Sequence, residues 1–241
     1  MSPVTVHWIR HGKVASHRGD VPLTEEGVAQ ARERGKLLAE RLTSGEIVHF
    51  MYAPTLRTRQ TAVEIRTSMA GALPPGSDVE LLEVREQWAV RNPDIFVAGQ
   101  RVEMVSSAEA LSQQLFAPIG PKTLSQHPFF SAFWASSDRI GYWVGHPDPP
   151  GENTEAVARR QLTFALSLPD LHEDRPARYV LSTHSPVLRA ILLGFLGEDP
   201  GEPEYLEPVD LIATDEGTSE LRFRDHRTSL SDTSVINNVT R

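Results

Sequence analysis

The chain has 241 residues, 39% hydrophobic and 23% charged, which suits one large soluble domain or one domain with a sizeable insertion. A formal net charge of −8, from 32 acidic and 24 basic side chains, works against nucleic acid as a partner, so an anionic ligand must be captured by a local cluster of cations. The lack of cysteine removes disulfides, thiolate catalysis and cysteine-bound metal clusters. No stretch approaches the ~18 apolar residues of a membrane span, and the N-terminus lacks a secretory-signal pattern. A cytoplasmic protein with no membrane partner is expected.

In chain order, VTVHWI (4–9) is short and β-rich and predicts a first strand. After Pro22 the pattern changes: Thr24 stands as an N-cap, Glu25 and Glu26 fill a first turn, and Val28, Ala31, Leu37, Leu38 and Leu42 recur at roughly helical spacing. IVHFMYA (47–53) reads as a second strand, Pro54 breaks it, and Leu56 to Met69 follow as a helix ending near Gly71. Two strand–helix units in series predict a parallel sheet.

VELL (79–82) supplies a third strand. The next stretch, about 84–150, leaves the pattern and predicts an inserted helical cap, with the dense aromatics of 127–147 as its core. Glu152 to Leu168 has helical spacing behind Asn153 or Thr154, RYVLSTH (178–184) reads as a strand, and Val187 to Leu196 as a helix. VDLIAT (209–214) and TSELRFRD (218–225), joined by Asp215-Glu216-Gly217, predict an antiparallel hairpin, and the polar residues 226–241 are expected to be loosely held. The expected fold is α/β: three α/β/α layers around a mainly parallel sheet, with an inserted helical cap and a C-terminal antiparallel hairpin at or near the sheet edge, in a single domain over 1–241.

In an open parallel sheet, ligands bind beyond the carboxyl ends of the strands. The first strand ends in Arg10-His11, the second leads to Arg57 and Arg59, the third delivers Glu83, and the strand at 178–183 delivers His184. Two imidazoles, arginines and a carboxylate at one edge suit phosphoryl transfer. A guanidinium matches phosphate oxygens, a neutral imidazole can attack phosphorus, and a protonated carboxyl can deliver a proton to the leaving oxygen. His11 is the candidate nucleophile, and Gly12 is read as letting backbone approach a ligand. Lys13, His17 and Arg18 are placed to meet a second anionic group of the substrate. No metal-binding spacing of histidines is present, and arginines disfavour a cation, so neither metal nor organic cofactor is expected.

These residues resemble the histidine phosphatase superfamily, which includes phosphoglycerate mutase. Arg10-His11-Gly12 is similar to its signature, PLTEEG (22–27) to its Leu-Thr-x-x-Gly segment, and APTLRTRQTA (53–62) to the segment that places the second phosphate-binding arginine on Arg57 rather than Arg59. LLE (81–83) resembles the segment carrying the proton donor, PPGENTEAVARR (149–160) the Gly-Glu-Ser helix start, and STHSPVLRAIL (182–192) the segment of the second histidine. The resemblance implies that His11 is phosphorylated, that Arg10, Arg57 and His184 line the phosphate pocket, and that Glu83 is the general acid, with Glu86 three residues on as the other carboxylate to consider. Ser185, where glycine is common in the family, is counted among the substrate-binding residues.

Lys13-Val14-Ala15-Ser16-His17 and VREQWAVRNPD (84–94) depart from the mutase pattern, so the implied activity is a phosphatase acting on a small phosphorylated metabolite through a phosphohistidine. A phosphomutase and an inactive phosphoanion-binding scaffold are the alternatives. Oligomeric state, a homodimer included, is left open by the sequence.

Overall fold

β1 (Val4–Arg10) is buried at every residue except Thr5, the mark of a strand covered on both faces. Its polar side chains are paired: His7 Nδ1 donates to Asp210 Oδ1 at 2.7 Å, His7 Nε2 accepts from Arg178 at 3.0 Å, and Trp8 Nε1 donates to Gln161 at 3.0 Å. The computed structural model describes residues 2–16, 19–171, 174–213 and 219–230.

α1 (Glu25–Ala39) starts where expected, with the Thr24 hydroxyl accepting from Gly27 N–H at 3.1 Å. β2 (Ile47–Tyr52) and α2 (Leu56–Ala72) follow, and β3 (Glu80–Leu81) and β4 (Arg85–Glu86) both run parallel to β2. The α2 cap residue Thr55 makes no capping bond with its side chain. Asp20 reaches across instead and accepts from Leu56 N–H at 2.7 Å.

The segment between β4 and the next long helix is not purely helical. It holds a hairpin, β5 (Ile95–Val97) and β6 (Gln100–Val102), before α3 (Ala108–Ser112), α4 (Pro121–Ser125), α5 (Pro128–Ala135) and α6 (Arg139–Val144). The hairpin turns on Ala98 and Gly99, both at positive φ (49° and 77°). An alanine in that conformation gives no signal in the sequence. Phe129, Phe130, Phe133 and Trp143 are buried in this segment, Phe129 and Phe130 meeting edge to face at 5.3 Å.

α7 (Thr154–Leu166), capped by Asn153, leads to β7 (Ala177–Thr183), α8 (Ser185–Leu196) and then β8 (Pro208–Ala213), β9 (Ser219–Phe223) and β10 (His226–Leu230). Among the described residues the sheet order is β10-β9-β8-β1-β7-β2-β3, with β4 also against β2. β1, β7 and β2 are parallel, whereas β8, β9 and β10 form an antiparallel set attached to β1. The expected loose tail therefore begins with an edge strand at 226–230. Its polar sequence HRTSL hid it, as edge strands commonly carry polar side chains. The joining loop 214–218 and residues 231–241 lie outside the described residues.

The sheet carries a core on each face. Val4, Val6 and Trp8 pack with Val157, Leu162 and Ile191 of α7 and α8, while Ile9, Val48 and Phe50 pack with Ala31, Leu38, Ile65 and Met69 of α1 and α2. The fold is thus three layers, α/β/α, and the carboxyl ends of β1, β2 and β7 share one edge.

Candidate active site

His11 is the first residue beyond β1, and its N–H donates to the Thr183 carbonyl at the end of β7, 3.0 Å away. That bond ties the two strand ends together and brings His184 beside it: the imidazoles are 5.4 Å apart at 69°. Both histidines are 3% exposed. His11 Nδ1 lies 2.8 Å from the Gly12 carbonyl, an acceptor, so Nδ1 carries the proton and Nε2 the lone pair.

Gly12 serves packing rather than ligand approach. A Cβ on Gly12 would lie 2.7 Å from the Gly27 carbonyl, and one on Gly27 would collide with the Lys13 carbonyl. The pair of glycines lets the start of α1 lie against the loop after His11, and Gly12 N–H donates to Thr61 of α2 at 3.0 Å. Two helices therefore fix the loop that carries His11.

The Arg10 side chain is 9% exposed and is held from its distal side. Nη1 donates to the Pro203 carbonyl (2.5 Å), Nη2 pairs with Glu202 (2.9 Å), and the guanidinium lies 4.2 Å above the Tyr205 ring. Its Nε is buried with no hydrogen-bond partner. Arg57, in the first turn of α2, is 13% exposed. Burial pulls its guanidinium below the ordinary value, against the opposing charges of Glu103 and Asp20, and its Nε is likewise buried without a partner. Buried donors with no acceptor are costly, and an anion placed between these guanidinium groups would satisfy them.

Arg10, His11, Arg57, His184, Ser185, Pro186 and Glu202 line one cavity of about 200 Å³, together with Asn92, Met104, Val105, Ser106, Phe133, Arg139 and Ile140 of the segment between β4 and α7. A second cavity of about 860 Å³ shares Arg57, Asn92, Met104 and Val105 with the first and is lined by Asp20, Glu103 and Glu109. Arg59 is exposed on α2, so of the two arginines the cavity takes Arg57.

Other expected residues lie elsewhere. Glu83 does not reach the cavity: its side chain is 80% exposed, and its carboxylate is bound at 2.5 Å by Arg66 of α2, which also donates to the Leu82 carbonyl. Glu86 is exposed on β4. Lys13 is turned to Glu26 (2.5 Å), away from the cavity lining. His17 and Arg18 lie outside the described residues. Glu152 is a structural anchor, bound by Arg160 at 2.9 and 3.0 Å and accepting from Asp94 N–H at 2.8 Å.

Asn92, Ser106, Arg139 and Glu202 carry no motif, and only their position in the fold reveals them. Among the described residues no group of three or more His, Asp or Glu is placed to hold a metal ion. No helix among them is long and apolar enough to cross a membrane.

The family model described as histidine phosphatase superfamily (branch 1) matches residues 6–88, the part that carries Arg10, His11 and Arg57. No curated protein matches the sequence. Among solved structures the fold is similar to a mycobacterial hydrolase (17% identity, TM-score 0.56, covering 94% of this chain and 99% of that one). It is also similar to mycobacterial glucosyl-3-phosphoglycerate phosphatase (16%, 0.54, 92% and 98%) and to phosphoglycerate mutase from Bacillus anthracis (15%, 0.53, 100% and 98%). At these identities the likeness is one of fold. Over residues 6–88 the chain is thus similar to the histidine phosphatase superfamily, and over its whole length it shares the fold of these solved structures.

Proposed function

We propose that the chain is a phosphatase for a small phosphomonoester and works through a phosphohistidine on His11, with no metal or organic cofactor. The observation that carries this reading is the setting of His11: Nδ1 is committed to the Gly12 carbonyl, the lone pair is on Nε2, and the ring shares its cavity with Arg10, Arg57 and His184. Nε2 attacks phosphorus in line with the leaving oxygen. The two guanidinium groups and His184 take the charge that spreads over the equatorial oxygens, as in other phosphoryl transfers.

Water is the favoured second acceptor because the catalytic cavity adjoins a larger one whose lining residues Asp20, Glu109 and Gln113 are exposed to solvent. A mutase must keep water from its phosphoenzyme, and this geometry invites it. The test is to follow inorganic phosphate release from a panel of phosphomonoesters beside isomerisation in the presence of a bisphosphorylated primer. Release without isomerisation is expected. Isomerisation without release would assign a mutase, and neither activity, with no label on His11, would assign a binding protein.

A further inference from the structure

We infer that Glu202, in the loop between α8 and β8, is the acid and base of this reaction, an inference that rests on the phosphohistidine reading. Within the described residues it is the one carboxylate lining the cavity of His11 and His184. Asp20 and Glu103 line the neighbouring cavity instead, and Glu83 stands outside with Arg66. The Glu202 side chain is 45% exposed and can exchange protons with water.

Its contacts tie it to the phosphate site. Oε1 lies 2.9 Å from Arg10 Nη2, Oε2 accepts from Ser185 Oγ at 2.5 Å, and Arg189 Nη1 is 3.6 Å away. Glu202 thus shares a guanidinium with the arriving phosphoryl group. A phosphate dianion at Arg10 sets two anions side by side, and a proton taken up by Glu202 relieves their repulsion and leaves an acidic O–H beside the reacting group.

In the first step the Nε2 lone pair forms the N–P bond as the P–O bond breaks. The Glu202 proton passes to the leaving oxygen, which departs as the alcohol. In the second step a water oxygen bonds to phosphorus as the N–P bond breaks and its electron pair returns to Nε2. One proton of that water passes to Glu202, which is then restored for the next substrate. Arg10 keeps the Pro203 carbonyl and the Tyr205 ring when Glu202 is altered, so a glutamine at this position removes the proton function while leaving the guanidinium held.

The test compares Glu202→Gln and Glu83→Gln on glycerol phosphate, whose alkoxide needs a proton to leave, and on p-nitrophenyl phosphate, whose phenolate does not. For Glu202→Gln the loss in kcat on the alkyl ester is expected to exceed the loss on the aryl ester by about 10²-fold or more, with ³²P still transferred to His11 from the aryl ester. Activity on the aryl ester also reports that the variant is folded. Equal losses on both esters, no loss on either, or a leaving-group-dependent loss in Glu83→Gln would overturn the role of Glu202 while the phosphohistidine reading stands. Failure of the unaltered protein to label His11 would overturn both.

Discussion

His11 and Arg57 show how a few contacts fix the tautomer of one side chain and the setting of another. The single bond from Nδ1 to the Gly12 carbonyl sets the tautomer, and the Thr183 carbonyl fixes the backbone that carries the ring. Burial pulls the Arg57 guanidinium below its ordinary value, and the charges of Glu103 and Asp20 oppose that effect. Its planar fork, with a buried Nε awaiting an acceptor, cannot be reproduced by an ammonium group. Arg57→Lys is expected to lower kcat/KM by about 10²-fold, as read in steady-state assays, with little change in the denaturation midpoint. Gly27 makes the opposite kind of contribution, to packing alone. Gly27→Ala forces a Cβ onto the Lys13 carbonyl and is expected to cost about 1–3 kcal/mol in urea denaturation.

Among the elements, α6 is tied to α8 through one buried arginine. Arg189, 1% exposed in α8, pairs with Asp138 at the start of α6 (2.8 Å) and with Asp199 beyond α8. Asp138 in turn caps α6 through Gly141 N–H at 2.8 Å, and Arg139 and Ile140 beside it line the cavity of His11 and His184. The Arg189 hydrogen bond holds the Asp138 carboxyl below its usual value, with the Gly141 and Ile140 N–H groups assisting against burial. A carboxyl depressed in the folded state contributes stability that is complete above its unfolded value of ~3.9 and is lost as pH falls through the folded value. Arg189→Met is therefore expected to destabilise the chain by on the order of 1–3 kcal/mol at about pH 7, since the two aspartates it abandons are partly solvated, and by less at about pH 3. Urea denaturation at the two pH values checks both the size and the sign.

At the scale of the whole molecule, what the sequence disclosed follows the range of the forces that decide it. The strands and helices of the sheet were legible because each carries its period and punctuation locally: Thr24 before α1, Pro54 before α2, Asn153 before α7. The meeting of His11 and His184 at one edge was legible because they sit just beyond strand ends, where an α/β sheet delivers side chains, whereas the choice of Arg57 over Arg59 came from the resemblance of the segment 53–62. Glu202 is 192 residues from Arg10 in a loop without periodicity, and Glu83 was drawn aside by Arg66 on a neighbouring helix. Both depend on tertiary contacts that no local pattern announces. The same holds for the β5–β6 hairpin, which turns on an alanine in a conformation that alanine rarely adopts.

The global charge of −8 and the arginines at the sheet edge are compatible because the cavity gathers Arg10, Arg57 and Arg139 in one place. The proposed phosphatase reaction turns on one bond, from His11 Nε2 to phosphorus. Rapid-quench labelling with a ³²P-phosphomonoester measures it directly. The expected result is transient label on the unaltered protein, none on His11→Ala, and a fall in phosphate release of about 10³-fold or more in that variant. Phosphate release by His11→Ala at the unaltered rate would contradict it.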